Sequence, residues 1–359
     1  MSELKALTGA RGIAAWCVVA FHLRQSLAGV PAPVLGGIAK GYLAVDFFFL
    51  LSGFVIWLAW IGRFRSERTC AILPFLRKRV ARVWPLHLFV LAGLVVLVVL
   101  LQASGSDTSV RFPWHALQEH VLLVQSWRRA HTLAWNDPAW SISAEFAAYL
   151  LFPLLAIAVD WRRWPSALLL AMTGGVLALL ALVLAAAGET GLGGEVGRFG
   201  VLRCLCEFAS GSMIAALWLR WRGSMGITGL AFGGAAVMLA ALLCGFLWES
   251  IGVPAMFAAL LLGIALTAGW RGNPLEWRWL HWLGEVSYAT YLVHHPLWFT
   301  CKLLFVADER AAPWGVVAAY VAAVVVLSAL LYRFVERPAQ AWVNAFGSAQ
   351  PRGGLRNNR

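Results

Sequence analysis

Residues 41–62 read GYLAVDFFFLLSGFVIWLAWIG, a run with one charged position, Asp46, and no proline. At ~1.5 Å rise per residue, an apolar run of about 20 residues crosses the ~30 Å hydrocarbon core of a bilayer as a helix. Nine further runs of this kind lie at 6–28, 85–103, 139–159, 165–187, 199–219, 226–247, 253–270, 284–304 and 313–334. The expected fold is an all-α polytopic membrane protein of about ten transmembrane helices. Its embedded unit is expected over 1–345, and the polar stretch 346–359 as a disordered tail.

The composition points the same way. Of 359 residues, 61% are hydrophobic and 13% charged, and the mean hydropathy is +0.74. Soluble domains carry about 25% charged residues, so this inventory does not cover the surface of a soluble enzyme. The net charge of +12 raises the question of nucleic acid. With an even number of spans and the N-terminus inside, 20 of the 29 Lys and Arg fall on inner segments and 8 on outer ones, and Arg203 lies within a span. That is the positive-inside asymmetry, so both termini are expected in the cytoplasm and no nucleic-acid partner is expected. No cleavage site follows the first apolar segment, which is expected to be retained. The 20 Trp gather near span ends, such as Trp57, Trp60, Trp161, Trp164, Trp218, Trp221, Trp277, Trp279 and Trp282, and read as interfacial belts. The six Cys show neither a disulfide framework nor a zinc spacing, and no metal is expected. Between spans, the longest stretches are the basic inner loop 62–84 and the outer loop 104–138. The outer loop holds Trp114, His115, Arg128, Arg129 and His131, with a short interfacial helix expected at 117–125.

Ionisable groups inside a membrane are costly, so each is a functional candidate in need of a partner. Arg11 and His22 are eleven residues apart, which places them ~16 Å apart along one helix with only ~20° of rotation between them. Asp46 and Glu145 lie ~9–10 Å into their spans from the outer side, at the level of His22. A His and two carboxylates at one depth suit a general base with a partner that orients it, the competing reading being a buried network gluing helices together. Arg203 and Glu207, at i,i+4, read as an internal salt bridge. Arg79 and Arg82, at i,i+3 where a span enters the membrane, can face one pocket and grip phosphates.

The order of these motifs resembles the acyltransferase-3 family of integral-membrane O-acyltransferases, which modify bacterial surface glycans and some macrolides. Arg11 and His22 are similar to the family's Arg-x10-His motif, and the run from Gly41 to Phe54 to its second-helix signature. Arg79-x-x-Arg82 with Pro85 resembles its Arg-x-x-Arg motif. Trp140-Ser141-Ile142-Ser143-Ala144-Glu145 resembles its Trp-Ser-Leu-Ser-Val-Glu segment. The run from Ser287 to Pro296, with Tyr288, Tyr291 and His294, resembles its Ser-Tyr-x-x-Tyr-Leu-x-His-x-Pro motif, and Glu336-Arg337-Pro338 closes the last span as in the family. The resemblance runs from about residue 4 to 343, with no quotable motif in spans five to eight. Ala144 stands for the usual Val and His295 where an aromatic is common.

The resemblance implies a multi-pass enzyme of the bacterial inner membrane, with acyl-CoA, most often acetyl-CoA, as donor and a hydroxyl of a surface or lipid-linked glycan as acceptor. Arg11, Arg79 and Arg82 would then hold the donor's phosphates. His22 would act as base with Glu145 or Asp46 beside it, and Tyr291 and His294 would bond pantetheine or acyl oxygen, an equal alternative being a satisfied polar contact at a kink before Pro296. Trp140, Ser141 and Ser143 would position the sugar or the oxyanion, Ser143 equally being a packing hydroxyl or, less simply, a nucleophile. Some family members carry a soluble hydrolase-like extension; here transfer is expected to be completed by the membrane unit or a partner protein. A macrolide acceptor stays open, as do acyl length and oligomeric state. Two other classes compete, a proton-coupled transporter and an inactive assembly subunit; donor-dependent turnover separates both from an enzyme.

Overall fold

The computed structural model describes residues 3–128 and 133–346. Arg129, His131 and the tail from 347 lie outside the described residues. The helices are α1 (Lys5–Leu23), α2 (Ala32–Ala39), α3 (Ala44–Glu67), α4 (Ile72–Ala103), α5 (Leu117–Leu122), α6 (Ala139–Ala158) and α7 (Ser166–Ala186). They continue as α8 (Val196–Trp221), α9 (Met225–Leu243), α10 (Glu249–Leu266), α11 (Arg278–Glu285), α12 (Ser287–Phe305), α13 (Trp314–Leu331) and α14 (Arg337–Phe346). Ten of them have 18 residues or more, and these ten coincide with the ten expected spans. Among the described residues no strand occurs, and the chain is an all-α polytopic membrane protein.

Eight segments are long and apolar enough to cross a membrane, and one of them, 32–103, contains both α3 and α4. The long helix outside those segments is α12. Its Ser287, His294, His295 and Lys302 lower its hydropathy, and two of these four line the outer cavity described below.

Apolarity locates a span, but the helix does not stop where the apolar run does. The expected inner loop 62–84 is mostly helix: α3 continues to Glu67, with Arg63 Nε 2.8 Å from Glu67 Oε1, and stops at Arg68, whose φ of 49° is left-handed. After one 3₁₀ turn α4 begins at Ile72, so the basic run through Arg82 is helical and Pro85 lies inside the helix. The interfacial helix is shorter than expected, ending at Leu122, and it docks through its His120 carbonyl, 2.7 Å from His87 Nε2.

The core forms where small residues let backbones meet. A Cβ on Gly53 of α3 would run into the Phe208 carbonyl of α8, and one on Gly211 of α8 into the Leu50 carbonyl of α3. Without a hydrophobic drive between helices in lipid, such close approach supplies the packing. Trp60, Phe64, Phe75 and Phe152 make an aromatic cluster in which Trp60 meets Phe75 and Phe64 meets Phe152 edge to face, with Phe75 tilted on Phe152. Several tryptophans expected at the interface are core instead: Trp57 and Trp60 are buried, Trp161 Nε1 donates to Ser212 Oγ at 3.0 Å, and Trp218 Nε1 donates to the Ala265 carbonyl at 2.8 Å. Trp161 and Trp218 turn inward to a partner for the indole N–H, whereas Trp57 packs inward with its Nε1 unpaired. Trp277 and Trp279 do remain exposed. On the bundle exterior Leu100, Leu182, Leu230, Val237 and Leu243 are exposed, as lipid-facing residues are.

Candidate active site: two cavities meeting at Tyr291

Two adjoining cavities in the bundle hold most of the motif residues. The inner one, about 160 Å³, is walled by Arg11 from α1, Ser52 from α3, Arg79 and Arg82 from α4, Ser141, Glu145 and Tyr149 from α6, and Tyr288 and Tyr291 from α12. It adjoins a mouth of about 490 Å³ that shares Arg11 and Arg82 with it. The outer cavity, about 660 Å³, is lined by His22, Asp137, Trp140, Arg203 and His295 among others. Inner and outer cavities have Val45 and Tyr291 in common, and Tyr291 Oη lies 2.7 Å from Ser141 Oγ between them.

The three arginines expected to act together do share one cavity. Arg11 donates from Nε (3.1 Å) and Nη2 (2.5 Å) to the Gly284 carbonyl. Arg82 pairs with Glu336, so the acid of Glu336-Arg337-Pro338 anchors it. Arg79 lies over the rings of Phe75 and Tyr149, and its Nε is buried without a hydrogen-bond partner.

The carboxylates at the level of His22 are not its partners. Asp46 is buried and takes a bidentate grip from Arg203, Nε to Oδ1 at 2.6 Å and Nη2 to Oδ2 at 2.8 Å, and Arg203 Nη1 donates to the Leu192 carbonyl at 2.5 Å. This corrects two expectations: Asp46 is locked between α3 and α8, and Arg203 pairs across helices rather than with Glu207. Glu145 accepts from Ser52 Oγ and lines the inner cavity beside the arginines. Equal depth does not specify the direction in which a side chain points around the helix axis, and here the directions diverge.

What surrounds His22 comes from α12 and the outer loop. His22 Nδ1 lies 2.9 Å from the Val18 carbonyl, which only accepts, so Nδ1 carries the proton. His294 Nδ1 likewise faces the Thr290 carbonyl at 3.1 Å, leaving its Nε2 as an acceptor 3.2 Å from His22 Nδ1. Both contacts hold His22 in the tautomer whose Nε2 keeps a lone pair. His294 thus sits against His22, and it lines neither the inner nor the outer cavity, contrary to its expected contact with the donor. Asp137 and His295 complete the cluster. One ligand atom each from His22, Asp137 and His295 lies within 4.8 Å of the others, a spacing that would also admit a divalent cation.

Asp137 was missed by the motif reading because it precedes the motif, in what reads as loop. The signal was in the prolines. Pro296 has no N–H for the Leu292 carbonyl one turn back, and Asn136 Nδ2 donates to that carbonyl at 3.0 Å. The repair clamps the outer loop to α12 and brings Asp137 to His295, Oδ2 to Nε2 at 4.0 Å. Burial raises the Asp137 carboxyl to about 6, against the opposing pull of Arg111 and Arg24.

The Trp-Ser-Ile-Ser segment divides. Trp140 lines the outer cavity with Arg203 over its ring, and Ser141 lines the inner one. Ser143 is buried away from both, its Oγ accepting from the Ser126 N–H at 3.1 Å, which makes it a packing hydroxyl and not a substrate contact.

Residues 4–333 match the family profile described as an acyltransferase domain, acyltransferase-3 type. Acyltransferase MdmB of Streptomyces mycarofaciens is 34% identical, the match covering 94% of this chain and 91% of that protein. The putative peptidoglycan O-acetyltransferase YrhL of Bacillus subtilis (strain 168) is 24% identical over 92% of this chain. Peptidoglycan O-acetyltransferase OatA of Listeria monocytogenes serovar 1/2a is 23% identical over 95%. The match spans 54% and 56% of the length of those two peptidoglycan relatives. No solved structure matches. With ten long helices, two cavities meeting at one tyrosine, and a profile match over nearly its whole length, the chain belongs to the acyltransferase-3 family of membrane acyltransferases.

Proposed function

We propose that the protein moves an acetyl group from cytosolic acetyl-CoA to a hydroxyl of a cell-surface or lipid-linked glycan, in a bacterial inner membrane, with His22 as general base. The observation that carries this reading is the meeting of the two cavities at Tyr291, arginines on one side and His22 on the other. CoA is anionic at its nucleotide end and carries its thioester on a long neutral arm. Arg11, Arg79 and Arg82 supply cations for the phosphates, and the narrow inner cavity takes the arm toward Tyr291. The charged nucleotide then stays at the inner mouth.

The acceptor hydroxyl enters the outer cavity and gives its proton to His22 Nε2, while its oxygen attacks the thioester carbonyl. The carbon–sulfur bond breaks as the acyl–oxygen bond forms, and the CoA thiolate recovers the proton from His22. Asp137 stabilises the imidazolium from the cavity side, and His294 holds the tautomer through Nδ1. Direct transfer needs no acyl-enzyme, and Ser143 is out of reach for one.

The test is CoA release and acetylated glycan formation by purified protein in nanodiscs given acetyl-CoA and a membrane glycan fraction. Wild type is expected to turn over and His22→Ala to lose ~10²–10⁴-fold in rate while remaining folded. Full transfer by His22→Ala would sink the assigned base, and no donor-dependent turnover at all would favour a transporter. Mass spectrometry of surface glycans from a deletion strain, read for a lost acetyl mass, identifies the acceptor.

A further inference from the structure

The outer cavity carries more positive charge than its chemistry needs. Arg24, Arg111 and Lys302 line it, while Arg203 deeper in is already matched by Asp46. Against those three stands one lining carboxylate, Asp137, which faces the histidines. Lys302 has an exposed partner, Glu309, at 3.3 Å. Arg24 and Arg111 have no carboxylate within ion-pair distance among the described residues. Each is instead held over a ring, Arg24 over Phe21 at 3.7 Å and Arg111 over Phe299 at 4.3 Å. Arg24 also donates to the Phe21 carbonyl at 2.5 Å, and Arg111 Nη2 lies 3.4 Å from His295 Nε2.

Cations on the outer side work against the orientation that the inner loops impose. Of the eight outer Lys and Arg in the sequence, three converge on this one cavity. Two fixed guanidinium groups lining a reaction cavity, balanced only at a distance by Asp137 and, for Arg111, Glu309, are explained if a closer counterion arrives with the substrate. We propose that the acceptor is anionic, with a carboxylate or phosphate near the acylated hydroxyl that Arg24 and Arg111 receive. This rests on the acyl-transfer reading for the identity of the cavity as the acceptor site. The anion has two sources, a carboxylate on the sugar itself or the phosphate of a lipid linkage.

Equilibrium binding to the full-length protein in zwitterionic nanodiscs tests it, with three probes that share a hexose ring. They are methyl β-D-glucoside, methyl β-D-glucuronide and glucose 1-phosphate. One or both anionic probes are expected to bind at least tenfold tighter than the neutral one, and 0.5 M salt is expected to erode that margin. Preference for the glucuronide places the charge on the sugar, preference for the phosphate places it in the linkage, and either supports the proposal. Arg24→Gln and Arg111→Gln should each cut the preference several-fold. Lys40→Gln, an outer cation paired with Glu249 and outside the cavity lining, should leave it intact. Equal or undetectable binding of all three probes, or arginine variants that weaken every probe alike, would overturn the proposal. Binding needs no acetyl-CoA, so the two readings fail separately. Turnover without anion preference removes this inference alone, whereas anion preference without turnover removes the acyl-transfer reading and with it the identity of the bound anion as an acceptor, leaving an anion site in the outer cavity.

Discussion

Replacing Asp46 by Asn tests whether this carboxylate locks helices or serves His22. In the structure its two oxygens take both arms of the Arg203 guanidinium at 2.6 and 2.8 Å, with both side chains buried. Asp46→Asn keeps the shape and removes the charge, leaving a guanidinium that is 3% exposed without its counterion. Breaking a buried pair from one side costs about 3–5 kcal/mol, because the surviving charge stays desolvated. Glu207, one turn along α8, interacts with Arg203 electrostatically and offsets part of this, so the lower end of that range is expected. Replacing both partners by apolar residues of similar volume, Asp46→Leu with Arg203→Met, is often neutral, so the double variant should recover most of the loss. Detergent-solubilised protein is heated and the monodisperse fraction followed by size-exclusion chromatography with tryptophan fluorescence. Asp46→Asn should melt well below wild type and the double variant close to it. An Asp46→Asn protein as stable as wild type, or a double variant no better than the single one, would refute the assignment of Asp46 as a structural lock.

Arg79 makes no ion pair among the described residues, so Arg79→Ala should fold normally and weaken acetyl-CoA binding. Loss of a charge-assisted phosphate contact worth about 1.5–3 kcal/mol implies roughly a 10- to 100-fold rise in Kd, read by calorimetry. For Asp137 the sign follows from its raised pKa of about 6. A carboxyl held above its usual ~3.9 binds its proton more tightly folded than unfolded, so its contribution to stability is full below ~3.9 and is lost as pH rises through about 6. Asp137→Asn should therefore gain on wild type in melting temperature between pH 4 and pH 8, and parallel pH curves for the two would contradict this. Gly53→Val places a branched side chain against the Phe208 carbonyl of α8, where backbone cannot yield cheaply. It should cost at least ~1–3 kcal/mol and sharply reduce the monodisperse yield, whereas the same change at lipid-facing Gly233, with open space around it, should not.

The residues that the motifs singled out mostly line the two cavities, but several of the roles assigned to them changed. Arg79 and Arg82 were legible as a pair because spacing within a helix fixes which side chains share a face; Arg11, on another helix, joined them through the family resemblance, and the inner cavity has all three. The partners of His22 were not legible. His294 and His295 are 272 and 273 positions away in the chain, and Asp137 is 115 away in an outer loop. Its approach depends on the side chain of Asn136 filling the hydrogen bond that Pro296 leaves open. Helix ends were also poorly legible around 62–84, where charge marks the edge of the membrane but not the end of the helix.

From sequence alone come the ten long apolar helices, the expectation of which side the cations face, and the shared face of Arg11 and His22. These are local quantities: apolarity summed over ~20 residues, charge summed over a loop, and ~100° of rotation per residue. Tertiary structure alone decided which buried charges meet. It gave Asp46 to Arg203, Glu145 to Ser52 and Glu336 to Arg82, and it left His22 with His294, Asp137 and His295. The reason is geometric. Depth in the bilayer is set along one helix, whereas partnership depends on how each helix is turned against its neighbours, and contacts such as Gly53 on Phe208 fix that rotation.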